Sequence, residues 1–269
     1  MKTKFIKLSS ALLLPISFIL ILILLSVLPF SSVSKYGFGG VLITVIALIV
    51  SFFALRIDGK SLKEGGFSMN ARTPLKFAYG FLIGSVIALV MIGIILNFSS
   101  LGISLNEDLD LSSLPLWFAG IFILAFMEEV IFRGYAFAKI YKNYGIWPAQ
   151  ILLALLFAWY HDFSGASFFV QLLGPGVWAF VFGLAAIYSK GIALPTGLHM
   201  ALNVVLALVG LKENREGVWN LEYAIEPTSE MIQQTETIGM LLQVLILVIA
   251  LLLTEKLRRK KQKHNNNIF

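Results

Sequence analysis

Glu128, Glu129 and Arg133 are three ionisable side chains inside an apolar segment that begins near Leu114. A charge at bilayer depth costs at least a few kcal/mol, so each of the three needs a partner or a water-filled cavity. Glu129 and Arg133 are four residues apart with the acid first, the order in which a helix lets them pair. Glu128 points about 100° away from Glu129 round that helix, and nothing nearby in sequence neutralises it. Two histidines, His161 and His199, also lie within apolar runs, whereas His264 sits in a polar tail. His199 and Asn203 are four apart and so share one helix face. Either histidine alone reads as a packed core residue. Glu128, His161, His199 and Asn203, on three different helices, are satisfied most economically by meeting one another.

These residue types can do hydrolysis. A desolvated carboxylate is a stronger base than one in water and can take a proton from water near neutral pH. Glu128, helped by His161, fits that role. A tetrahedral oxyanion needs donors, and the His199 and Asn203 side chains supply an imidazole N–H and an amide N–H from one face. Glu129 with Arg133 would orient the helix and set the field around Glu128. A zinc site of Glu128, His161 and His199 with one open position is the competing reading. Against it, the helix offers His-x-x-x-Asn where zinc-binding helices offer His-x-x-x-His.

The elements that must position these groups are membrane helices. The chain is 58% hydrophobic and only 13% charged, far from a soluble domain, and its mean hydropathy is +0.85. The formal charge of +6 comes from Lys and Arg in short loops and at the ends, which sets topology and implies no nucleic-acid partner. Absence of cysteine excludes disulfides, thiolate metal sites and a cysteine nucleophile. An all-α bundle of eight spans is expected: Leu8 to Ser34, Tyr36 to Leu55, Phe77 to Phe98, Leu114 to Ala138, Ile146 to His161, Ser167 to Tyr188, Ile192 to Gly210 and Ile238 to Leu253. The first run is too long for a signal-peptide core of about 7 to 15 residues. Gly80 and Gly84 form a GxxxG pattern read as ordinary packing, and Gly174-Pro175-Gly176 must break or bend the sixth span.

Alternating the spans from an inside start puts both termini and the basic connector Arg56 to Lys76 in the cytoplasm, with Ser99 to Ser113 and the Glu-rich connector Lys212 to Thr237 outside. The polar end His264 to Asn267 reads as a disordered tail. Depth gives a check. At about 1.5 Å per residue, Glu128 lies roughly 20 Å from the outer end of its span and His199 roughly 10 Å from the inner end of its own. In a core of about 30 Å those depths agree. His161, roughly 22 Å from the inner side, fits less well. Three regions follow: 1–113 with three helices, 114–210 with the polar site, and 211–269 with the acidic connector, eighth helix and basic tail.

The spacing Glu128-Glu129-x-x-x-Arg133, then Phe157-x-x-x-His161, then His199-x-x-x-Asn203 resembles the CPBP family of intramembrane proteases, also called the Abi or type II CAAX prenyl endopeptidase family. The resemblance covers about Leu114 to Gly210. It implies an eight-helix bundle enclosing a conical cavity, a membrane-associated peptide or protein substrate, and these seven residues at the motif positions. Members of that family include prenyl-protein endopeptidases and bacterial proteins linked to peptide maturation, bacteriocin self-immunity and surface display, and an integral protein of a bacterial plasma membrane is expected. Two other functions compete. A transporter or channel would use the Gly174 to Gly176 break and Pro195, but no inverted repeat is visible. A noncatalytic scaffold or immunity protein would keep the fold without the chemistry.

Overall fold

The computed structural model describes residues 2–27, 38–162, 167–211 and 217–266. Within them every apolar run is helical. Helix α1 is Lys2–Val27, α2 Phe38–Ile57 and α3 Thr73–Phe98. Strand β1, Leu101–Leu105, precedes α4, Leu114–Arg133, and α5, Tyr135–Tyr144. Then come α6, Ile146–Asp162, α7, Phe168–Gln171, α8, Val177–Ser189, and α9, Ala193–Leu208. Strand β2, Trp219–Tyr223, and α10, Ser229–Asn266, complete the chain. Residues 28–34 of the first expected span and Tyr36 and Gly37 of the second lie outside the described residues, as do 163–166 of the turn before α7.

Five stretches are long and apolar enough to cross a membrane unaided: Gly40–Ile57, Thr73–Phe98, Leu111–Tyr144, Phe168–Ser189 and Ser229–Lys263. Ile6–Ile21, Ile146–His161 and Ala193–Leu208 are shorter apolar helices among the described residues. The protein is therefore all-α and integral to the membrane. Its apolar exterior, for example Leu82, Leu89 and Leu252, is exposed as lipid-facing surface would be.

Four expectations are corrected. The fourth span is not one helix to Ala138: Gly134 leaves helical geometry (φ −75°, ψ −126°) and α5 begins afresh. A Cβ at Gly134 would run into the Phe67 ring and the Val130 carbonyl, so the connector before α3 presses on this joint. Second, the connectors after α3 and α9 are not merely polar loops. They pair as an antiparallel ribbon, Leu101 opposite Tyr223 and Leu105 opposite Trp219. Third, α10 begins at Ser229, well before Ile238, because Glu230 and the Gln and Thr residues that follow carry the helix beyond the apolar run. Fourth, the tail read as disordered is helical to Asn266, continuing the turn set by the basic segment; Asn267 lies outside the described residues.

The break expected at Gly174-Pro175-Gly176 takes a specific form. Leu172–Gly176 is a π turn between α7 and α8, which accommodates a proline without a free N–H while the chain stays helical. The GxxxG pattern acquires a partner inside the molecule. Cβ atoms on Gly80 and Gly84 would collide with the carbonyls of Leu194 and Leu198, and one on Gly197 with the Phe77 carbonyl. Helices α3 and α9 thus lie backbone against backbone, which fixes the register of α9.

Candidate active site

The last turn and a half of α4 delivers four side chains into the protein interior. Glu128, Glu129, Phe132 and Arg133 are all buried, Glu129 completely. Glu129 Oε1 accepts from Nη1 of Arg133 at 3.4 Å, the pairing expected from the i, i+4 spacing. The same oxygen also meets Nδ1 of His199 on α9 at 2.9 Å. A carboxylate oxygen only accepts, so Nδ1 of His199 carries the proton. Its Nε2 then faces the other carboxylate, 3.6 Å from Oε2 of Glu128.

Arg133 is enclosed by aromatic faces. Its guanidinium carbon lies 4.4 Å from the Phe157 ring centroid, 5.1 Å from Phe182 and 5.8 Å from Phe132. In a site removed from water, these cation–π contacts replace part of the lost hydration. Nη2 of Arg133 and Oε2 of Glu129 have no hydrogen-bond partner among the described residues. Phe182, on α8, stacks on the His199 ring at 4.4 Å and 18°. The imidazole is therefore held at its edge by Glu129 and on its face by Phe182. Phe157 packs edge-on against Phe132 at 5.0 Å, closing the box from α6.

Glu128, Glu129, Arg133, Phe157 and His199 thus come together. His161, near the end of α6, turns its Nδ1 to the Phe157 carbonyl at 2.8 Å, and its ring lies 4.6 Å from that of Phe157. Its neighbour Tyr160 on the same helix donates its hydroxyl to Oε1 of Glu128 at 3.4 Å. Asn203 is half-buried one turn beyond His199 on α9. Sequence reasoning missed Tyr160 and Phe182. A hydroxyl in the apolar run Phe157 to His161 needs a partner at depth and was a usable signal for Tyr160. Nothing separates Phe182 in sequence from the many other phenylalanines.

Beside the site lies a groove of about 840 Å³ bounded by Phe52 of α2, Phe67, and Phe77 of α3. Phe126 and Thr196 form part of its wall, each three residues before Glu129 and His199 respectively. The groove adjoins the backs of both site helices without including Glu128 or His199 in its lining. Among the described residues, no three His, Cys, Asp or Glu side chains are disposed to hold one metal ion.

Residues 110–205 match the family described as type II CAAX prenyl endopeptidase Rce1-like. That segment runs from just before α4 into the last turns of α9 and contains every residue of the expected site, Glu128 to Asn203. No curated protein matches the chain.

Proposed function

We propose that this chain, which over residues 110–205 matches the type II CAAX prenyl endopeptidase Rce1-like family, is an intramembrane endopeptidase that cuts a membrane-associated peptide or protein with water activated by Glu128. The family match supports protease activity and a membrane-associated substrate, and activation of water by Glu128 goes beyond that match. The observation that carries it is His199 standing between two carboxylates, with Nδ1 on Glu129 and Nε2 towards Glu128.

Water that approaches Glu128 gives a proton to Oε2 while its oxygen bonds to the scissile carbonyl carbon. The carbonyl π pair moves to oxygen as an oxyanion. Donors for that charge are the Asn203 amide and Nε2–H of His199, the latter in its doubly protonated form. A carboxylate on Nδ1 supports that form and holds the ring in place. Collapse of the intermediate breaks the C–N bond, and the proton held by Glu128 passes to the leaving amine. His161 assists Glu128 in that transfer through its remaining ring nitrogen. Arg133 pairs with Glu129, which is the acceptor for His199.

The test compares membrane peptides from cells carrying the wild-type chain or Glu128→Gln. A peptide or protein that accumulates uncut only with Glu128→Gln supports the reading. The same processed products at the same rate with both chains would overturn it.

A further inference from the structure

Glu128 has two carboxylate oxygens in different circumstances. Oε1 accepts from the Tyr160 hydroxyl at 3.4 Å. Oε2 is buried with no hydrogen bond from any described residue, and faces Nε2 of His199 at 3.6 Å, beyond direct hydrogen-bonding distance. The phenol is the donor that distinguishes the two. Its ring is fixed by neighbours on its own helix and on α4: centroids lie 4.7 Å from His161, 6.2 Å from Phe157 and 5.9 Å from Phe132. None of those contacts uses the hydroxyl.

We infer that Tyr160 is a positioning residue for the hydrolysis: its O–H holds Oε1 of Glu128 and thereby leaves Oε2 as the oxygen that takes the proton from water. The inference rests on the proposed role of Glu128. A bond from Tyr160 to Oε1 fixes the carboxylate plane with Oε2 turned to His199, where the attacking water is in reach of both groups. Without the phenol the carboxylate can turn about its terminal torsion, which is broad for glutamate, and present either oxygen in the wrong direction. Hydrogen bonds at catalytic groups are commonly long before substrate arrives, so 3.4 Å is compatible with a contact that tightens in the complex.

The discriminating variant is Tyr160→Phe, which removes one oxygen and keeps the ring that packs on Phe132, Phe157 and His161. The first readout needs no substrate. Infrared difference spectra of the purified protein in lipid discs assign the Glu128 carboxyl band by its loss in Glu128→Gln, and Tyr160→Phe should shift that band. The second readout is kinetic, on the peptide that accumulates with Glu128→Gln. Tyr160→Phe should lower kcat by about tenfold to a hundredfold, the worth of one hydrogen bond to a charged group, with KM within twofold. A purely packing role would leave both readouts unchanged, since the ring is retained. An unshifted band, or a kcat within twofold of wild type, overturns the inference. A rise in KM at unchanged kcat also overturns it, because it would place Tyr160 against substrate. Full cleavage by Glu128→Gln would instead remove the reading on which the inference stands.

Discussion

Arg133 sits between one carboxylate and three aromatic rings, 2% exposed, and that setting decides what its removal does. Arg133→Leu leaves Glu129 charged and buried with only His199 as partner. Breaking a buried pair by removing one member costs about 3–5 kcal/mol, so the amount of folded protein in the membrane should fall sharply. Unfolding measured in detergent for Arg133→Leu and wild type checks this; equal stability would mean that Glu129 gives up its charge at no cost. His199→Ala and Asn203→Ala should act differently. On the proposed mechanism each removes one oxyanion donor, so each should lower turnover by roughly a hundredfold to a thousandfold with little change in substrate binding. Activity should also survive a strong chelator. Stoichiometric zinc lost together with activity in His199→Ala would restore the metal reading of Glu128, His161 and His199. At this scale the Glu129–Arg133 pair was legible because both partners lie on one helix at a spacing that physics favours. The bond from Glu129 to His199 crosses from α4 to α9, and no local rule reports it. The hydroxyl of Tyr160 signalled the need for a partner without naming it, because adjacent residues on a helix point in different directions and the packing of α6 is what sets this hydroxyl on Glu128.

The position of His199 depends on how α9 lies against α3. Glycines at 80, 84 and 197 let the two backbones touch, and a methyl group at any of them would strike a carbonyl of the other helix. Gly84→Leu should therefore displace α9, reducing both folded protein and turnover. Gly93, on the same helix, provides the control, because a Cβ there meets nothing within 4 Å. Gly93→Ala should leave the protein as stable or raise its stability by about 0.5–1 kcal/mol through better helix propensity. Thermal unfolding of the pair decides the point; equal effects of the two substitutions would show that backbone contact does not position α9. The GxxxG pattern was visible in sequence, but its partner was not, since small residues permit a close approach without naming what approaches. The joint at Gly134 was equally hidden. Apolar character runs smoothly through it, and the ring that leaves no room for a side chain there is Phe67, far away along the chain.

Over the whole molecule, hydrogen bonds sort the connectors into two ends. At one end Ile192 donates to the Gly66 carbonyl, Lys76 to the Ser189 carbonyl, Lys142 meets Glu64, and Trp147 meets Glu255. At the other, β1 pairs with β2. This sorting agrees with the distribution of Lys and Arg, which gathers on the first end. Both termini and the Arg56 to Lys76 connector are expected in the cytoplasm. Reporter fusions after Lys63 and after Glu222 should then register opposite sides, and agreement between them would refute the eight-crossing arrangement. The all-α class and the order of the apolar helices were legible because hydropathy reports them directly. The β ribbon was not, because five-residue strands far apart in sequence leave no comparable trace. The proposed mechanism has Glu128 activate the water that cuts the substrate. Its most direct measurement is the cleavage rate of the peptide that accumulates with Glu128→Gln, using purified wild-type and Glu128→Gln protein in lipid discs, with thermal unfolding recorded on the same samples. The rate should fall by at least about a hundredfold in Glu128→Gln, the usual worth of a general base, with unfolding unchanged. A folded Glu128→Gln protein that cleaves at the wild-type rate would contradict it.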